Sequence, residues 1–103
     1  MATSQVFFDS FKTGEIVKRT TDFGEFFSTG ASIPSAGSAS ATYAQSFGGA
    51  LSGSCAMAVT GGSLVTHTIP AGASLTGQYT FTVTVNITDG QTRKAIWYET
   101  ANA

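Results

Sequence analysis

Ten consecutive residues, Tyr79-Thr80-Phe81-Thr82-Val83-Thr84-Val85-Asn86-Ile87-Thr88, alternate apolar and polar side chains. Side chains on a strand point to opposite faces in turn, so this stretch is a half-buried strand with Tyr79, Phe81, Val83, Val85 and Ile87 on its dry face. Asp89-Gly90 follows, and that pair suits a type I′ hairpin turn because both central positions need φ > 0. Gln91 to Glu99 supplies the returning strand. The result is a long β-hairpin lying on a core, and it limits the chain to architectures that can cover such a face.

The register of the return strand has two solutions. A two-residue Asp89-Gly90 loop sets Val83 opposite Ile96 and Phe81 opposite Tyr98, leaving Trp97 on the threonine face. A one-residue bulge at Gly90 reverses the faces and buries Trp97. Trp97 is the one tryptophan of the chain, and a lone Trp in a small β-domain serves best as a core anchor, which favours the bulge.

Shorter segments repeat the pattern. Glu15 to Thr20 reads as a strand, and Asp22-Phe23-Gly24-Glu25-Phe26-Phe27 as a turn or single helical turn plugging one end of the core. Ser28 to Gly53 thins to Ser, Ala and Gly, with candidate weak strands at Ala31-Ser32-Ile33 and Ser40-Ala41-Thr42-Tyr43-Ala44 and a turn at Gly48-Gly49. In Ser54 to Val59 the side chains of Cys55, Met57 and Val59 share a face. Gly61-Gly62 then turns the chain into Leu64 to Ile69, which Pro70 closes because it cannot continue a central ladder. No sustained 3.6-residue period occurs. These strands and turns predict an all-β single domain, an antiparallel sandwich of about seven strands.

A chain of 103 residues holds one core. Residues 15–103 are read as that sandwich domain and residues 1–14 as an N-terminal arm or first strand. The segment Gln5-Val6-Phe7-Phe8-Asp9-Ser10-Phe11 carries too many large apolar groups for a solvated terminus, at roughly 1.5–3 kcal/mol each if left exposed. Val6, Phe7, Phe8 and Phe11 are therefore expected to pack onto a neighbouring subunit.

Charge is scarce. Only 11% of residues are charged, against about 25% in ordinary soluble domains, and none lies between Glu25 and Asp89. Such a surface suits packing against other chains, where an unpaired ion is costly. Residues 28–54 are expected to touch neighbours, with Ala39 and Ala50 as interface positions. A net charge of −1 without a basic cluster argues against nucleic-acid binding, which needs several phosphate contacts. No apolar run has the length of a membrane span. The N-terminus lacks the basic start and apolar stretch of a signal peptide, so synthesis in a cytoplasm is expected.

No pattern carries chemistry. His67 is the only histidine and Cys55 the only cysteine. Catalysis by His67 needs a nucleophile or carboxylate in reach, and a metal needs several ligands. Cys55 lies in an alternating apolar segment and reads as a core residue. Asp22 suits a turn cap and Asp89 the hairpin turn, while Asp22 and Glu25 otherwise read as solvated charges. The glycine pairs lack the strand–GxGxxG–helix setting and the Lys of a phosphate loop. The threonine row Thr80, Thr82, Thr84 and Thr88 is what a solvent-facing strand carries. No enzyme activity, cofactor or metal is expected.

The run Ile69-Pro70-Ala71-Gly72, then Gly77-Gln78-Tyr79-Thr80-Phe81-Thr82-Val83-Thr84-Val85 and Thr88-Asp89-Gly90-Gln91-Thr92, resembles the end of the phage fibre–tail adaptor family. Those are small Ig-like β-sandwich virion proteins with a Gly-x-x-Gly-x-Tyr lead into a Thr/Val strand and a Thr-Asp-Gly-Arg-Thr-type turn. Glu15-Ile16-Val17, Asp22-Phe23 and Ala31-Ser32-Ile33 resemble the family's opening, and Phe7-Phe8-Asp9-Ser10-Phe11-Lys12 the start of other small phage structural proteins. Gln91 stands where the family favours Arg, and the N-terminal arm is extra. The resemblance implies an Ig-like fold and a multicopy, homo-oligomeric virion protein without catalytic residues, joining capsid, tail or fibre subunits as a tail–fibre adaptor or a capsid decoration (cement) protein. The alternative is an Ig-like adhesin for a host-surface glycan or protein, with Tyr43, Trp97 and Tyr98 as the aromatic groups for a sugar.

Overall fold

The computed structural model of the chain describes residues 4–45, 52–70 and 77–102. Among them, eight strands form two sheets: β1 (Ser4–Lys12), β2 (Val17–Asp22), β3 (Ala39–Gln45), β4 (Ser52–Ser54), β5 (Met57–Thr60), β6 (Leu64–Ile69), β7 (Gly77–Asn86) and β8 (Thr92–Asn102). One sheet runs β1-β8-β7-β3-β4 and the other β2-β6-β5. Short 3₁₀ turns at Gly24–Phe26 and Ala36–Ser38 complete the described elements. In Ig order, β2, β6 and β5 take the B, E and D places, and β8, β7, β3 and β4 the G, F, C and C′ places, with β1 beside G. The all-β sandwich expected from the alternation is what forms. It is not wholly antiparallel, because β1 pairs with β8 in parallel.

The hairpin of β7 and β8 holds the longest pair of strands, 10 and 11 residues. Its turn differs from the expected type I′. Gly90 adopts φ 88°, whereas no described non-glycine residue has positive φ, Asp89 included. The Gly90 N–H donates to the Ile87 carbonyl at 3.0 Å and the Ile87 N–H to the Gln91 carbonyl at 2.9 Å. This is a three-residue connection with a left-handed glycine forming a bulge. It moves the register by one residue, setting Phe81 opposite Trp97 and Val83 opposite Ala95. Trp97 is consequently buried. At Gly61-Gly62 both residues are left-handed, φ 63° and 72°, and the sharp turn there joins β5 to β6.

The core lies between the sheets. Tyr79, Phe81, Val83 and Val85 of β7 and Ala95, Trp97 and Ala101 of β8 face Val65, His67 and Ile69 of β6. Phe23, just before the first 3₁₀ turn, is fully buried, and the Asp22 carboxylate accepts the Gly24 N–H at 2.8 Å. The Phe-rich turn therefore plugs the sandwich as its sequence suggests. Ala31–Ile33 is not a strand; Ile33 is buried and its N–H donates to the Gly62 carbonyl. Between β4 and β5 the chain changes sheet. Cys55 donates its N–H to Ala41 of β3, and Ala56 accepts the Thr68 N–H of β6.

Residues 4–12 require a correction. They do not form a free arm but β1, an edge strand of the chain's own sheet, paired with β8 from Ser4↔Lys94 to Lys12↔Asn102. The reason is local. Phe7 and Phe11 point inward, where Phe7 stacks on Trp97 with ring centroids 4.3 Å apart and Phe11 is buried, so the domain itself covers half of the apolar groups.

Candidate association surface

A partly buried ion pair fixes how the β1 edge sits. Arg19 of β2 points across the sandwich, donating from Nε to Glu99 Oε2 at 2.9 Å and from Nη2 to Oε1 at 3.2 Å. The same Nη2 donates to the Ser10 carbonyl of β1 at 2.9 Å, and Nη1 lies 3.5 Å from Asp9. The Glu99 side chain is fully buried. The hydrogen bond to Glu99 holds the Arg19 guanidinium pKa above its ordinary value, against the opposing effect of burial. Close by, the Trp97 indole N–H donates to Thr21 Oγ1 at 3.0 Å, another buried link between the sheets. Neither link was legible in the sequence: Trp97 was expected in the core, but Arg19, Thr21 and Glu99 read as ordinary residues of alternating strands.

Residues paired across a sheet share a face, so the registers define the outer surface of the five-stranded sheet. One row runs Ser54, Thr42, Thr82, Ile96, Val6; the next runs Ser52, Ala44, Thr80, Tyr98, Phe8. Hydroxyls cover the β3–β4 flank and apolar groups the β1–β8 flank. Val6 is 51% exposed and Phe8 79%. The Phe8 ring stacks on Tyr98, itself exposed, at 5.2 Å. Lys94, in the row of Ser4, Thr84 and Ser40, is the charge nearest these rows among the described residues. Of the threonine row, Thr80, Thr82 and Thr84 lie on this face. Thr88 instead sits in the hairpin turn, where its hydroxyl accepts the Ser32 N–H.

The expected interface positions divide accordingly. Val6 and Phe8 are on the outer face, and Phe7 and Phe11 are not. Ala39 is a further correction: it pairs with Val85 and packs against the core, on the inward side of β3. A small residue carries no sign of which face it takes. Ala50 lies outside the described residues.

Of the residues weighed for chemistry, His67 and Cys55 are buried, and Asp22 and Asp89 hold turns. His67 is fully buried, stacked on Phe81 at 5.7 Å and edge-on to Trp97 at 5.8 Å. Burial, with a smaller effect from the Arg19 charge, lowers its pKa to about 4, and neither ring nitrogen finds a partner among the described residues. Its cross-strand neighbours are Arg19 of β2 and Met57 of β5. Cys55 is buried, which pushes its thiol up to about 11. No group of three or more metal-ligating side chains occurs among the described residues. An open depression of about 220 Å³ lies between Ser28–Ala31 and the Thr88-Asp89 turn, where Asp89 is held below its ordinary pKa by the Gln91 N–H and the Ser28 hydroxyl. It is smaller than the roughly 300–1,000 Å³ usual for ligand pockets. Among the described residues no helix is long and apolar enough to cross a membrane.

No family model and no curated protein matches the chain. Among solved structures it is similar to InlP of Listeria monocytogenes, with a TM-score of 0.60 and 18% identity. The match covers 96% of this chain and 27% of that one. At this identity the likeness concerns the fold alone, and this chain corresponds to about a quarter of InlP.

Proposed function

We propose that the chain is a non-enzymatic structural module of a bacteriophage virion that joins or reinforces neighbouring subunits, as a tail–fibre adaptor or a capsid decoration protein. The observation that carries this reading is the outer face of the five-stranded sheet. Its central rows hold hydroxyls and a strip of exposed apolar groups, with Val6, Phe8 and Tyr98 most prominent. A face of this kind gains from burial against another protein and contains little charge to desolvate. The resemblance of residues 69–92 to the fibre–tail adaptors supplies the virion setting.

The test is incorporation. Phage particles assembled with the wild-type chain should contain it after purification, and Thr82→Lys or Tyr98→Lys should reduce its copies severalfold while the isolated domain stays folded. Absence of the wild-type chain from particles, or full incorporation of both variants, overturns the reading.

A second reading, an Ig-like adhesin, is favoured by the exposed Phe8–Tyr98 ring pair, since stacked aromatics offer a platform to a sugar. Trp97 and Tyr43 do not contribute to it. Trp97 is buried, and Tyr43 lies on the core side against Phe81. Saturable binding to a glycan array, lost in Tyr98→Ala, would favour this reading over the first.

A further inference from the structure

The β1 edge is closed along half its length and open along the other half. Backbone N–H and C=O groups alternate sides along a strand. The Thr13 N–H, just past the strand, donates to Asn102 at the end of β8, so odd-numbered residues of β1 turn their backbone groups to β8 and even-numbered ones to the free edge. At the C-terminal half that edge is already satisfied. The Ser10 N–H donates to the Asp9 carboxylate and the Ser10 carbonyl accepts from Arg19. The Lys12 N–H donates to the Glu15 carboxylate, and the Lys12 carbonyl accepts the Glu15 N–H. At Val6 and Phe8 the outward groups have no partner among the described residues, and their side chains are the exposed apolar pair of the outer face.

We infer that this open half-edge pairs with the same half-edge of a second copy, antiparallel about a two-fold axis at Val6. The free set is self-complementary. Val6 faces Val6 of the other copy, and Ser4 faces its Phe8. Every open group then meets an open group, with about six backbone hydrogen bonds, and the capped Ser10 and Lys12 fall outside the seam. The charge pattern fits the same occupant. Neither Val6 nor Phe8 is charged, so the two-fold sets no like charges together. Lys94, beside Ser4 in its row, comes to lie two strand spacings, about 10 Å, from the Phe8 ring of the other copy, within reach of its long side chain for an ammonium–aromatic contact. The two five-stranded sheets become one continuous sheet, and their outer faces one larger face. A seam of one short strand pair lies below the ~1,200 Å² of standard interfaces, so the dimer dissociates on dilution and is reinforced in an array.

The inference rests on the reading of the chain as an association module and names its first partner. The experiment is sedimentation velocity of the full chain at concentrations up to about 1 mM. The wild-type chain should pass from monomer to dimer. Val6→Pro removes only an outward-facing donor, which an edge strand tolerates, and Phe8→Lys puts a charge into the seam; each should raise the dissociation constant about tenfold or more. Val6→Cys should form an intermolecular disulfide on mild oxidation, because facing residues of an antiparallel pair lie within bridging distance, and Asp9→Cys should not. A wild-type chain that stays monomeric, or a dimer indifferent to both Val6→Pro and Phe8→Lys, overturns the inference. Monomers that still enter particles leave the proposed function standing without this seam. Dimers never found in particles leave the seam standing without that function.

Discussion

At one edge of the five-stranded sheet, β1 runs for 9 residues, rich in phenylalanine, and is tied to the opposite sheet by Arg19. At the other edge, β4 runs for 3 residues, Ser52–Ser54, all exposed and with no large side chain. Both edges face the same hazard, a row of unpaired backbone groups. The short edge limits it by length. The long edge is capped by Asp9, Arg19 and Glu15 over Ser10–Lys12 and left open at Val6–Phe8. The difference teaches that an edge can be kept open where buried contacts on its inner side hold it in place, and those contacts are where the domain is most sensitive to substitution.

The largest effect should come from the ion pair behind β1. Glu99→Ala leaves Arg19 without its buried carboxylate and should cost about 3–5 kcal/mol in denaturant unfolding, whereas replacing both partners with apolar residues, Arg19→Met with Glu99→Leu, should regain most of that. A single-variant loss as small as at an exposed site would break the contrast between the edges. Next is Thr21→Val, close to isosteric, which strands the buried Trp97 N–H and should cost about 1–3 kcal/mol with a change in Trp97 fluorescence.

His67 adds a pH dependence to the same packed region. Its pKa is lowered on folding, from 6.5 to about 4, so the unfolded chain takes up a proton that the folded chain refuses. Stability from this residue is full above pH 6.5 and declines as pH falls from 6.5 towards 4. His67→Leu should remove that slope; a slope unchanged in the variant would assign it to carboxylates. The smallest effect is expected at the β4 edge. A Cβ on Gly53 would come within 3.1 Å of the Tyr43 ring, so Gly53→Ala should cost under about 1 kcal/mol as the ring shifts. A larger loss would mean that the β4 edge is as constrained as the β1 edge.

Much of this was legible in the sequence. The alternation from Tyr79 to Ile87 gave the dry face of β7, the bulge at Gly90 was one of two registers open to the hairpin, and the three phenylalanines after Asp22 marked the plug. The rest was hidden for physical reasons. Arg19 and Glu99 are 80 residues apart, and a charged residue at an alternating position looks the same whether it points to solvent or to a partner. The aromatic run at β1 has apolar groups on both faces, so period alone does not separate Phe7 and Phe11 from Val6 and Phe8. Parallel pairing of the first strand with the last leaves no turn signal between them.

Residue-resolved amide hydrogen exchange at low and high protein concentration tests the account most directly. The Val6 and Phe8 amides should exchange fast in dilute solution and slow down severalfold as the chain associates. Ser10 and Lys12, bonded within the chain, and Ser54 at the opposite edge should not change with concentration. Rates at Val6 and Phe8 that ignore concentration, or protection that appears at Ser54 instead, would contradict β1 as the seam through which this domain associates.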